Sequence, residues 1–151
     1  MPFLYEIGKT WKFEAAHRLQ GLPAQHKCSN LHGHSYSAEV VISAKGLDQV
    51  GMVWDYRDLS TAVKPLIDMM DHAAILRRGD PLIAFLEREG SRVVVLETNP
   101  TAEVIARTMW EHVQRIMESV NEGCQEHEKI LLQRITIRET EKTFATVGRA
   151  P

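Results

Sequence analysis

The stretch FLYEIGKTWKFEAAH, Phe3–His17, is rich in aromatic residues that alternate roughly with polar ones, the period of a half-buried strand. A second stretch, SYSAEVVISAKG (Ser35–Gly46), reads the same way, and a long connection over Gln20–Leu31 joins the two. Paired as a hairpin, they bring the end of the first strand beside the start of the second. That juxtaposition decides what the rest of the chain is built around.

Outward from the hairpin, Leu59, Val63, Leu66, Ile67 and Met70 fall at helical spacing over Tyr56–Met70, with Asp55 available as the N-cap. Pro65 within that run removes a backbone donor, so the helix is expected to kink or divide there. Ile105, Met109, Val113, Ile116 and Val120 predict a second helix over Thr101–Asn121, with Gly123 just past its end. Between the two, GDPLIAFLEREGSRVVVLE predicts a short helix, with Asp80 as N-cap, Pro81 in the first helical position and Gly90 as stop. An extended piece over Val93–Leu96 follows. Finally, KILLQRITIRET and KTFATVG read as two strands around a turn near Glu141. The order is β-β-α-α-β-β with an extra short element between the helices. It predicts an α+β fold, an antiparallel sheet with helices on one face. With no internal repeat or long linker, one domain is expected over residues 1–151.

Composition narrows the function classes. A net charge of -2 and a pI near 6.4 give no basic footprint for a phosphate backbone, so direct nucleic-acid binding is disfavoured. The opening MPFLYEIGKTWKFEAAH lacks a basic segment followed by an apolar run, and no later window approaches the roughly 18 apolar residues of a membrane span. A soluble, cytoplasmic protein is expected. Cys28 and Cys124 are the only two cysteines. They do not make a disulfide scaffold, and Cys28 is expected to stay a thiol.

That thiol lies in HKCSNLHGHSY, His26–Tyr36, among three histidines. Strand residues two apart share a face, so His32 and His34 can present both imidazoles to one ion, while Gly33 keeps the opposite face open. The hairpin supplies His17 as a third ligand. Three neutral imidazoles suit Zn²⁺ and leave a fourth position for water or substrate, the pattern of a catalytic site. Cys28 as a fourth ligand would instead close a structural Cys-His₃ site. Scattered polar-loop histidines are the plainest reading, but two histidines two residues apart beside a cysteine favour a metal, and spacing alone does not choose between the catalytic and the structural site.

FEAAH, CSNLHGH, MDH, NPTAEVIA and IRET, taken together and in order from Phe13 to Glu139, resemble the family of 6-pyruvoyltetrahydropterin and 6-carboxytetrahydropterin synthases. CSNLHGH with FEAAH upstream is the specific part; MDH or RET alone means little. A cysteine four residues before HGH looks most like the bacterial 6-carboxytetrahydropterin synthases of queuosine-precursor synthesis.

The resemblance implies the tunnelling fold, in which subunits pair their sheets into a barrel and stack as a homohexamer with sites between subunits. It implies zinc on His17, His32 and His34, with Cys28 kept free as the proton acceptor. Asp71 and His72 of MDH would complete a proton relay, the carboxylate orienting the imidazole. A helix-end pair is their ordinary reading. Glu139, which on its own would pass for a solvated strand-end carboxylate, would anchor the amino-pyrimidinone edge of a pterin and join the relay.

The implied reaction is a zinc-dependent carbon-carbon lyase step on 7,8-dihydroneopterin triphosphate, giving 6-carboxytetrahydropterin with release of acetaldehyde and triphosphate. A 6-pyruvoyltetrahydropterin synthase, an aldol cleavage to 6-hydroxymethyldihydropterin, and a non-catalytic zinc-stabilised pterin-binding oligomer are the alternatives. Arg77–Glu97 is longer than in the shortest members, and TEKTFATVG replaces the Cys-rich ending of some; both bear on the side-chain pocket. Asn99 or Thr101 is expected to cap the second helix after Thr98, with Pro100 between them, and Glu103 to sit favourably in its first turn. Lys27 is a candidate for the triphosphate, although a solvated loop lysine is its ordinary reading.

Overall fold

Strands β1 (Tyr5–His17) and β2 (His32–Ala44) pair antiparallel along their whole length in the computed structural model, from Tyr5 opposite Ala44 to His17 opposite His32. The structure describes residues 3–150, so the first two residues and the last of the expected domain lie outside the described residues. Alternation does the sorting. Phe13, Ala15 and His17 of β1 and Tyr36, Ala38, Val40 and Ile42 of β2 are buried on one face, while Glu6, Thr10, Lys12 and Glu14 stand exposed on the other.

Two more strands, β5 (Leu131–Arg138) and β6 (Phe144–Gly148), continue the antiparallel sheet beyond β2. A bulge between Val41 and Ile42 shifts the β2–β5 register at the end far from the histidines, and Ser37 opposite Arg138 is undisturbed. On the other side of β1 the sheet differs from the antiparallel expectation. β3 (Ala73–Arg77) runs parallel to β1, and β4 (Val93–Leu96) parallel to β3, giving a mixed sheet of order β4-β3-β1-β2-β5-β6. β3 was not expected from its sequence. AAILR is buried from Ala73 to Leu76, so it carries no alternation to read.

Helices α1 (Tyr56–Met70) and α3 (Ala102–Val120) cover one face of the sheet, as expected. Leu59, Val63, Ile67 and Met70 of α1 and Ile105, Met109, Val113 and Met117 of α3 close the core with Ile135 and Ile137 of β5. Each such side chain contributes about 1.5–3 kcal/mol when fully buried. α1 is one helix through Pro65, where a kink or division was expected. Pro65 is exposed, so its ring projects to solvent and water can satisfy the carbonyl that loses its donor. Asp55 caps α1, its carboxylate accepting the Arg57 N–H at 2.7 Å.

The short helix α2 (Leu82–Arg88) joins β3 to β4. Pro81 flanks it, and the buried Asp80 carboxylate accepts the Leu82 N–H at 2.9 Å while pairing with the Arg18 guanidinium. That pair ties the residue after His17 to the start of α2, and the guanidinium holds the Asp80 carboxyl below its ordinary range. No helix among the described residues is long and apolar enough to cross a membrane.

Candidate active site

The β1–β2 register brings His17 beside His32, and His34 follows two residues along on the same face. One ring nitrogen from each of the three lies within 4.8 Å of the others. The rings stand edge-on, with centroids 4.6 Å apart for His17 and His32, 5.1 Å for His17 and His34, and 4.9 Å for His32 and His34. His17 is buried and the other two partly so.

Two backbone carbonyls assign the tautomers. His17 Nδ1 lies 2.7 Å from Pro100 O, and His32 Nδ1 lies 2.7 Å from Asn30 O. A carbonyl only accepts, so both Nδ1 atoms carry the hydrogen and both Nε2 lone pairs point inward, 3.1 Å apart. Two lone pairs facing each other need a proton or a metal between them. Burial opposes the proton: it lowers the pKa of His17, the Pro100 bond only partly offsetting this, and it lowers that of His34 as well. The donor set therefore fits a zinc ion, with the Nδ1–H of His17 and of His32 held by a backbone oxygen, as is usual for metal-bound histidines.

Cys28 sits in a single 3-10 turn, Lys27–Ser29, at the end of the Gln20–Leu31 connection. Its N–H donates to His26 Nδ1 at 3.1 Å, and its carbonyl accepts the Leu19 N–H at 2.8 Å. His26 thus caps the turn, outside the metal set. The Cys28 sulfur is not among the converging donors, which disfavours a closed Cys-His₃ site. It lines the same cavity as the histidines, about 360 Å³ in volume, together with Glu139 and, from the first turn of α3, Glu103. Glu139 follows directly on β5, its Oε1 3.9 Å from His17 Nε2 and its N–H bonded to Thr143 O at 3.2 Å.

Asp71 and His72 lie elsewhere in the chain. They end α1, and His72 takes a left-handed backbone (φ 59°), a conformation uncommon for a residue with a Cβ. β1 holds the pair in place: Asp71 Oδ1 accepts the Glu14 N–H at 2.8 Å, and the His72 N–H donates to Glu14 O. Asp71 Oδ2 lies 3.0 Å from His72 Nδ1. The Glu14 N–H, then the His72 imidazole, hold the Asp71 carboxyl below its usual range. The His72 side chain is 77% exposed and borders a cavity of about 610 Å³ lined by Glu14, Gly33 and Ser35, out of phase with the three clustered histidines, and also by His34. Within one chain, His72 and Cys28 line different cavities.

The segment before α3 does more than cap it. Thr101 is the N-cap, accepting the Val104 N–H at 3.2 Å. Asn99 instead takes the Gln20 N–H on Oδ1 and gives an Nδ2–H to Gln20 O, both at 2.8 Å, as a strand's backbone would. With Pro100 O on His17, this loop orients the His17 ring and clamps the connection that carries Cys28. Sequence reading missed both roles, since they belong to an amide and a carbonyl brought in from over 75 residues away.

The sequence model described as 6-pyruvoyl tetrahydropterin synthase matches residues 6–150. A protein of Rickettsia bellii named 6-carboxy-5,6,7,8-tetrahydropterin synthase is 35% identical over 140 residues, 90% of this chain and 94% of that protein. An Aquifex aeolicus protein of the same name is 35% identical over 132 residues, 76% of this chain and 82% of that one. The solved 6-pyruvoyl tetrahydropterin synthase of Caenorhabditis elegans superposes with a TM-score of 0.68 at 25% identity, covering 99% of this chain and 98% of its own. The match over residues 6–150 includes all three histidines, Cys28 and Glu139, and by that match the chain belongs to the 6-pyruvoyl tetrahydropterin synthase family.

Proposed function

We propose that the protein is a zinc-dependent 6-carboxy-5,6,7,8-tetrahydropterin synthase. It would convert 7,8-dihydroneopterin triphosphate and water to 6-carboxytetrahydropterin, acetaldehyde and triphosphate in the cytoplasm, as a step toward the queuosine precursor. The observation that carries the reading is the convergence of three imidazole nitrogens in a cavity where a cysteine stands beside them without joining them. The names of the Rickettsia and Aquifex relatives support the 6-carboxy product over the 6-pyruvoyl one.

His17, His32 and His34 would hold the metal. Bound there, Zn²⁺ would polarise the oxygens of the substrate side chain and make the neighbouring C–H more acidic. Glu139 accepts two hydrogen bonds from the amino-pyrimidinone edge and so sets the side chain toward the histidine end of the cavity. Cys28, on its anchored turn, is the base that takes the side-chain proton. His72, oriented by Asp71, passes protons on.

Because His72 and Cys28 line different cavities within one chain, a complete relay would draw its Asp71–His72 pair from a second copy. That need supports a homo-oligomer with sites between subunits, the hexamer that the family resemblance implies. Cys28→Ala and His72→Ala proteins, each inactive alone, are then expected to regain activity when unfolded and refolded as an equal mixture. Roughly a quarter of the sites would receive one intact contribution from each side. A mixture as inactive as its parents would remove the shared site.

The direct test is incubation of zinc-loaded protein with dihydroneopterin triphosphate, identifying the pterin by mass and trapping acetaldehyde. A 6-carboxy pterin with one acetaldehyde per turnover is expected. Triphosphate release without acetaldehyde would make the protein a 6-pyruvoyl synthase, and pterin binding without turnover would make it a binding module.

A further inference from the structure

Tyr36 shares the sheet face of His32 and His34, and nothing in the mechanism above uses it. Its ring is 0% exposed, stacked on Phe13 with centroids 4.9 Å apart and planes 7° from parallel. It also meets His17 and His34 edge-on, at 5.9 and 5.3 Å. A phenylalanine would fill that slot as well. The hydroxyl, however, has no hydrogen-bond partner among the described residues. Leaving a buried hydroxyl unpaired is costly, so an orphan beside an active-site cavity calls for a partner in the working state.

The strand register identifies one. Ser37 is opposite Arg138 and Ala38 opposite Ile137, the latter two buried on the core face. Extended one residue past Ser37 and Arg138, where the pairing ends, the same register would put Tyr36 opposite Glu139, which lines the histidine cavity. Directly opposed residues in an antiparallel pair have Cβ atoms about 4.5–5.5 Å apart. His17 touches both, its ring against Tyr36 and its Nε2 3.9 Å from Glu139 Oε1.

We propose that Tyr36 is a positioning residue for pterin binding, its hydroxyl donating to the Glu139 carboxylate once that carboxylate engages the ligand. The inference rests on the reading of Glu139 as the pterin anchor. Each carboxylate oxygen has two lone pairs, so both can accept from the amino-pyrimidinone edge while one also takes the Tyr36 O–H. The bond would hold the carboxylate in the plane of the incoming edge.

The test uses zinc-loaded Tyr36→Phe, read by metal content, melting temperature, affinity for 7,8-dihydroneopterin, and KM and kcat for the triphosphate. Metal content is expected to match the wild type. Affinity is expected to fall about tenfold and KM to rise with it, with kcat far less affected, since the lost bond is to a charged group. Added to Glu139→Gln, where the partner's charge is gone, Tyr36→Phe is expected to cost no more than about threefold. Unchanged affinity and KM would overturn the proposal, whatever the melting temperature does. An equal loss in both backgrounds would overturn it too, because the effect would not pass through Glu139. A wild-type protein that neither binds dihydroneopterin nor turns over the triphosphate would remove the functional reading and this inference together. An active wild type with an unaffected Tyr36→Phe removes this inference alone.

Discussion

Cys28→Ala is expected to lower turnover of dihydroneopterin triphosphate on the order of 10³-fold while leaving the metal in place, the range in which a positioned general base contributes. The prediction separates base from ligand because the Cys28 sulfur is not among the converging donors. The turn itself should survive. Its bonds to Leu19 and His26 are made by the Cys28 backbone, which alanine retains. Metal content by elemental analysis and single-turnover kinetics check the two halves separately. Full turnover with metal bound would eliminate Cys28 as the base, whereas loss of the metal would make it a ligand after all.

The second large effect is on the metal. His32→Ala is expected to leave the chain folded yet nearly metal-free and inactive. Its affinity should drop by more than the roughly 10- to 100-fold that follows loss of a mere hydrogen-bond partner of a ligand. His32 makes the cleaner experiment than His17. It is partly exposed, so its removal opens little core, whereas His17 is buried and its loss would strand the Pro100 carbonyl. Acid should mimic the substitution, because protonated imidazoles cannot ligate. Burial keeps His17 and His34 neutral to lower pH than free histidine, so metal release should begin below the ordinary histidine range. Titration calorimetry with zinc checks both arms. An undiminished affinity in His32→Ala would mean that the three histidines do not form the site.

Much of the fold was legible because its elements have exposed and buried faces. β1, β6 and β2 as far as Val40 show alternation, and α1 and α3 each carry an apolar stripe with a capping residue in front. β3 was not legible, because a strand buried along nearly its whole length has no polar phase to mark it. Its absence from the sequence reading also hid the parallel side of the sheet. Pro65 misled in the opposite direction: a local rule about the missing donor was outweighed by a solvent-facing position that the rule does not see.

For the site, the sequence by itself determined the residue types and one spacing. His32 and His34 had to share a face because strand side chains repeat every two residues, and the hairpin had to return His17 to them. Tertiary structure alone decided how those residues are used. Carbonyls from Pro100 and Asn30 direct the Nε2 lone pairs of His17 and His32 toward each other, Asn99 clamps the connection bearing Cys28, and His72 and Cys28 are left on different cavities. The division has a physical cause. Periodicity is a property of neighbouring residues, which a sequence lists in order, whereas tautomer, access and facing direction depend on backbone groups that only the packed chain brings near.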